Sequence, residues 1–218
     1  MNTNTNYAEH VSIVKNLKMA DSFYEVREPF KEGFEAIYNK ANANNVNMSN
    51  AKDFLNSLTK EELSTLQNYT RLADEINVDN LSDEGAYNLL LHHYEKYDFN
   101  NDGVTEDGIA KTSGMIPQSL GNDEKKALVE TFNSMDFKDV MTASILFIKL
   151  PMVVDGQLQP SNQDISLKDI RDRIMDILNP KNEKFSTQEF KNTIKNFSDL
   201  FELNYKKILE EKAYYNIR

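Results

Sequence analysis

The sequence predicts an all-α protein in which a single multi-helix domain spans residues 1–218. Apolar residues recur three and four positions apart along most of the chain, which is the spacing that places them on one face of a helix. Glycine (7) and proline (5) are scarce, and this favours helices over a turn-rich β fold. No alternating strand pattern, hairpin signal or repeat of fixed period stands out. We therefore expect more than half of the residues to be helical.

The first half of the chain divides into five expected helices after a polar tail at residues 1–6, which is expected to be disordered. Pro29 is typical of a first helical turn, where its missing N–H costs nothing. Thr59 and Glu62 form a capping box, in which each side chain satisfies a free backbone amide of the other. Ser82 or Asp83 begins the last of these helices, which is expected to run directly into residue 98. The expected apolar faces extend over residues 11–19, 30–41, 54–58, 63–76 and 86–97.

The second half of the chain contains four more expected helices. A helix over 122–135 is followed by one over 137–150 that is apolar on nearly all sides and is therefore expected to be buried. Ser166 begins the next helix, and a capping box at Ser186 begins a long C-terminal helix over 186–213. That helix carries an apolar stripe expected to pack against the same chain or a second copy. The stripe comprises Phe190, Ile194, Phe197, Phe201, Tyr205 and Ile208.

Residues 98–109 contain the clearest chemical signal, because oxygen-bearing side chains alternate at Asp98, Asn100 and Asp102. A chain that curls around one ion presents every second side chain to it, and Gly103 permits the sharp turn. Ca²⁺ is a hard cation that takes six to eight oxygen ligands. The spacing therefore predicts a calcium loop. The alternative is a polar linker of Asx turns, which the same residue types form without an ion.

This stretch resembles the EF-hand loop over about a dozen residues. The resemblance assigns Asp98, Asn100 and Asp102 to the first, third and fifth positions, the Val104 carbonyl to the seventh and Glu106 to the ninth. The twelfth position, where an EF-hand carries a bidentate Glu, is Ile109 here. The resemblance therefore implies that Glu106 or Asp107 supplies the last ligand, at a cost in affinity.

Composition excludes several classes of function. The net charge of −10 disfavours nucleic acid as a partner, because an acidic surface repels phosphates. With no cysteine, the chain forms no disulfide, zinc thiolate site or iron–sulfur cluster. Its most apolar run, residues 140–154, is interrupted by Lys149 and Pro151 and is too short for a membrane span. The N-terminus lacks a signal-peptide pattern, so we expect a cytoplasmic protein or one exported without that signal.

The leading hypothesis is a non-enzymatic binding or structural protein in which Ca²⁺ fixes a helix–loop junction. A second hypothesis is a metal-independent adaptor or chaperone that binds a protein partner or a second copy through an apolar helical surface. A weaker third is an enzyme with an unrecognised carboxylate pair, although no catalytic motif is present. Residues 31–38 and 101–108 are similar to uncharacterised proteins of Campylobacter-like bacteria, and this similarity implies a bacterial source without implying an activity.

Overall fold

The structure is a computed structural model that describes residues 5–112, 114–148, 152–154, 157–159, 164–181 and 187–216. It is 65% helical, which confirms the all-α prediction. Two short antiparallel hairpins, for which the sequence shows no pattern, are also present among the described residues. Among the described helices, none is long and apolar enough to cross a membrane.

The helices and strands of the described residues follow one another along the chain. The helices are α1 (Thr5–Val14), α2 (Asp21–Glu25), α3 (Glu28–Ala43), α4 (Ala51–Asn56), α5 (Lys60–Thr70), α6 (Asp83–Asn88), α7 (Asn122–Asn133), α8 (Phe137–Ala143), α9 (Leu167–Leu178) and α10 (Gln188–Asn216). The strands are β1 (Thr105–Asp107), β2 (Ala110–Thr112), β3 (Met152–Val154) and β4 (Gln157–Gln159). β1 pairs with β2, and β3 pairs with β4.

The chain forms two compact units, which we call unit 1 (Met1–Lys18 with Ser113–Arg218) and unit 2 (Met19–Thr112). The buried apolar residues of each unit form a separate cluster. The single domain expected over residues 1–218 stays a prediction. Because α1 begins at Thr5, it includes the last two residues of the tail expected at 1–6, and residues 1–4 lie outside the described part.

In unit 1, the long helix α10 supplies the centre of the core. Its residues Ile194, Phe197 and Phe201 are at most 2% exposed. The ring of Phe197 lies 6.0 Å from that of Phe132 and 5.9 Å from that of Phe147, measured between centroids. The expected burial of the C-terminal stripe against the same chain is confirmed for these residues. The expected cap Ser186 lies outside the described residues.

The expectation that residues 137–150 form one helix buried on nearly all sides was wrong. α8 ends at Ala143 and a 3₁₀ turn continues over Ser144–Phe147. One face of this segment packs into the core of unit 1, while the opposite face is open to solvent because no described element covers it. Four large apolar side chains on that face form what we call the α8 stripe: Phe137 (46% exposed), Met141 (52%), Ile145 (48%) and Ile148 (39%).

Unit 2 is built around α3, α5 and α6. The ring of the fully buried Phe34 in α3 stacks on Tyr69 of α5, with 3.9 Å between the centroids. The capping box predicted at Thr59 and Glu62 is confirmed. α5 ends earlier than the expected residue 76, because Arg71 adopts a left-handed conformation (φ 64°) that stops the helix.

α6 begins at the expected Ser82 cap, since the Ser82 hydroxyl accepts the Gly85 N–H at 2.9 Å. The prediction that it runs to Tyr97 was wrong. The helix ends at Asn88, and a 3₁₀ turn at His93–Glu95 precedes the loop. The side chain of Asn88 accepts the Tyr97 N–H at 3.1 Å and donates to the Tyr97 carbonyl at 2.9 Å. These bonds bring the chain back to the end of α6 and place residue 98 beside that helix.

Candidate metal centre

The loop at residues 98–104 is curled around the carboxylate of Asp98, which is only 6% exposed. This carboxylate accepts the backbone N–H groups of Asp102 at 3.1 Å and Gly103 at 2.8 Å. Gly103 has a φ of 91°, a conformation that side-chain-bearing residues rarely adopt. The glycine that the sequence assigned to the sharp turn is therefore required there.

Asn100 and Asp102 continue the same curl through Asx turns. The Asn100 side-chain oxygen accepts the Asp102 N–H at 2.8 Å, and the Asp102 carboxylate accepts the Val104 N–H at 2.9 Å. The Asn100 amide also donates to Asp102 at 3.3 Å. Three of the expected ligands, Asp98, Asn100 and Asp102, are thereby linked through one short network.

The structure places Glu106 and Asp107 in ion pairs outside that network. Glu106 lies in β1, and its carboxylate accepts the Ser82 hydroxyl and pairs with Lys111 at 2.7 Å. The carboxylate of Asp107 pairs with Lys96. Each of these two carboxylates therefore already has a lysine partner.

Glu84 is a component of the site that the sequence did not indicate. Its side chain is 2% exposed. One carboxylate oxygen accepts the backbone N–H groups of Phe99 at 2.7 Å and Asn100 at 3.0 Å, and the other accepts that of Glu106 at 2.9 Å. Glu84 lies 15 positions before Phe99 in an ordinary acidic first helical turn, and only the early end of α6 brings it to the loop.

Beside Glu84, the backbone of α6 is in direct contact with the turn that follows β1. The Gly108 N–H donates to the Gly85 carbonyl at 3.0 Å. A Cβ atom at position 85 would lie 2.2 Å from the Gly108 carbonyl oxygen, so only glycine fits there. Asn88 adds a bond of 2.6 Å from its side-chain amide to the Glu106 carbonyl. The loop and β1 are therefore held against one face of α6.

The pKa values of the two buried glutamates of the site are shifted in opposite directions. Burial raises the pKa of Glu84 above its ordinary value, and the nearby Asp98 adds to that rise, whereas the three backbone N–H groups oppose it. For Glu106, the bonds from Lys111 and Ser82 lower the pKa despite burial. Lys111 thus stabilises the charged form of Glu106.

The donors present fit Ca²⁺ in chemical type and only partly in number. Asp98, Asn100, Asp102 and the Val104 carbonyl all offer oxygen, which hard cations prefer. Each carboxylate oxygen has two lone pairs, so the bonds from backbone N–H groups leave acceptor capacity for an ion. Within the described residues, no group of three or more His, Cys, Asp or Glu side chains is placed to hold a metal ion. The loop itself supplies two carboxylates and an amide, whereas Glu106 and Asp107 are held in the ion pairs described above.

Comparisons with protein-family models, with curated proteins and with solved structures found no match to this chain. The resemblances to the EF-hand loop and to proteins of Campylobacter-like bacteria therefore stay predictions.

Proposed function

We propose that this protein binds one Ca²⁺ ion in the loop at residues 98–107 and has a non-enzymatic binding or structural role. The observation that carries the proposal is the linked network of Asp98, Asn100 and Asp102 around a tight turn. The ion would stabilise the junction between α6 and the hairpin β1–β2, because the loop connects these two elements. Such a role needs no catalytic group.

Asp98, Asn100, Asp102 and the Val104 carbonyl would hold the ion, with water completing the shell. Glu106 or Asp107 would join after exchanging its lysine partner for the ion. Since position 109 is Ile and no bidentate Glu follows the loop, we expect weak binding, with a Kd of about 10⁻⁵–10⁻³ M. Mg²⁺ should compete poorly because it demands a smaller octahedral shell.

Thermal unfolding with and without Ca²⁺ tests the proposal. At a free concentration of 100 times Kd, Ca²⁺ should add about 2.7 kcal/mol to the free energy of unfolding of the part that binds it. Asp98→Ala or Asp102→Ala should abolish the gain. Asp74→Ala removes an equal charge from an exposed position in unit 2 and should keep it. If millimolar Ca²⁺ leaves the wild-type transition unchanged and calorimetry detects no heat of binding, the loop is a turn-rich linker.

A metal-independent adaptor or chaperone is the second candidate, and the α8 stripe favours it. Large exposed apolar side chains on one helical face are typical of surfaces that bind a protein partner or a second copy. The test is whether the full chain suppresses aggregation of a heat-denatured client protein without metal. Met141→Lys with Ile145→Lys should abolish suppression, whereas Leu203→Lys, at a position 63% exposed on α10, should not. Equal suppression by both variants would reject the stripe as the binding surface.

A further inference from the structure

The side chain of Glu84 extends from α6 to the loop, and we call it the brace. Glu84 accepts N–H groups from both ends of the loop: Phe99 and Asn100 at its start, and Glu106 where β1 begins to pair. All three donor–acceptor distances lie between 2.7 and 3.0 Å. A single side chain therefore fixes the separation between the two ends.

The part of α6 that carries Glu84 is held in place by three contacts. Ser82 caps the first turn of α6, the contact between Gly85 and Gly108 fixes the distance to β1, and Asn88 bonds to the chain one turn later. Glu84 has little freedom to follow the loop, because its side chain is 2% exposed and lies between these contacts. The loop must instead adapt to Glu84.

The chemistry of the brace requires a carboxylate. Both oxygens of a carboxylate accept hydrogen bonds, and bonds to an ionised acceptor are stronger than bonds between neutral groups. A glutamine of nearly the same shape has one accepting oxygen and one donating amide. In Glu84→Gln, the amide nitrogen would face either the N–H groups of Phe99 and Asn100 or that of Glu106, so one end of the loop would be released.

We propose that Glu84 is a positioning residue that holds Asp98, Asn100 and Asp102 together before a cation arrives. A site organised in advance avoids the ordering cost that binding would otherwise include. The effect on Ca²⁺ affinity rests on the proposed function, whereas the brace itself does not. Glu84 acts through the backbone of the loop, and the ligands remain those already named.

Hydrogen exchange of the full chain without calcium tests the brace directly. The amides of Phe99, Asn100 and Glu106 should exchange slowly in the wild type. In Glu84→Gln, the amides at the released end, either Phe99 with Asn100 or Glu106, should exchange at least tenfold faster. The amide of Leu89, which bonds to the Gly85 carbonyl in the last turn of α6, should keep its rate. If Glu84 merely stabilised unit 2, its replacement would also raise the exchange rate of the Leu89 amide. Glu75→Gln, an equal change at an exposed position of unit 2, should leave all four rates unaltered.

Calorimetric titration with CaCl₂ then separates this inference from the proposed function. If the wild type binds Ca²⁺, Glu84→Gln should weaken binding at least tenfold, and equal affinity would overturn the inference. If the wild type binds no Ca²⁺, the proposed function fails. The exchange rates of the three amides then still test whether Glu84 holds the two ends of the loop. Should Glu84→Gln prevent folding, the calcium-free wild type suffices: slow exchange at residues 99, 100 and 106 supports the brace, and rapid exchange there overturns it.

Discussion

At the scale of single residues, Glu106 is the position where a lysine of the protein would compete with the proposed ion. Lys111 pairs with it at 2.7 Å from an exposed position on β2. Replacing this lysine by glutamine should free Glu106 for the ion and remove one positive charge near the loop. We therefore expect Lys111→Gln to tighten Ca²⁺ binding about two- to five-fold, and more so at low salt, where screening is weak.

Calorimetric titration of Lys111→Gln beside Lys60→Gln measures this effect. Lys60 is also an exposed lysine of unit 2 but lies at the start of α5, so its removal changes the net charge equally and should leave the affinity near that of the wild type. Equal affinities in both variants would show that Glu106 is not a ligand.

The residues of the candidate site differ in how far the sequence could predict them. The alternation of Asp98, Asn100 and Asp102 with Gly103 foretold a tight turn, because the relevant bonds join residues only two to five positions apart. Glu84 could not be found in this way. Its bonds span 15 to 22 positions, and its neighbours in the sequence suggest only a solvated helix start.

At the scale of elements, the predictions of helix starts that depend on neighbouring residues were confirmed. The predictions of helix ends that depend on contacts between distant residues were wrong. The caps at Thr59, Ser82 and Ser166 are confirmed because a cap involves residues three positions apart. The end of α6 and the hairpin β1–β2 were not foreseen. Apolar spacing continues past residue 88, but the bonds between Asn88 and Tyr97 turn the chain there.

The role of α10 as the centre of unit 1 leads to a stability prediction. Phe197 is fully buried, so Phe197→Ala should leave a cavity and lower the free energy of unfolding by about 3–5 kcal/mol. Leu203→Ala, in the same helix but 63% exposed, should change it by less than about 0.5 kcal/mol. Urea denaturation of both variants measures the difference, and similar losses would contradict the described packing of α10.

The stability of unit 1 should depend on pH because of His10, a buried residue of α1. Burial, with a further contribution from Lys125, lowers the pKa of His10 from 6.5 to about 4. Because the folded form resists protonation that the unfolded chain accepts, stability should fall as the pH drops from 6.5 towards 4. Between pH 7 and about pH 4.5, the wild type should lose about 2 kcal/mol more than His10→Gln. Denaturation of both proteins across this range checks the prediction, and parallel losses would contradict it.

At the scale of the whole molecule, the two buried clusters predict two cooperative units. The candidate calcium loop lies entirely in unit 2. Native-state hydrogen exchange should therefore show that Ca²⁺ at 100 times Kd raises the opening free energy of core amides in unit 2 by about 2.7 kcal/mol. Amides of unit 1, such as that of Phe197, should not respond. An equal rise in both units would instead support the single domain that the sequence predicts.

The central claim is that residues 98–107 hold one Ca²⁺ ion. The most direct measurement is an amide NMR titration of the full chain with CaCl₂, followed at Gly103 and its neighbours. We predict saturable shifts with one ion per chain, centred on residues 98–108, that Asp98→Ala removes and that Mg²⁺ fails to reproduce at equal concentration. Unchanged loop resonances up to several millimolar Ca²⁺, beyond the weakest affinity of about 10⁻³ M expected for such modules, would contradict the claim.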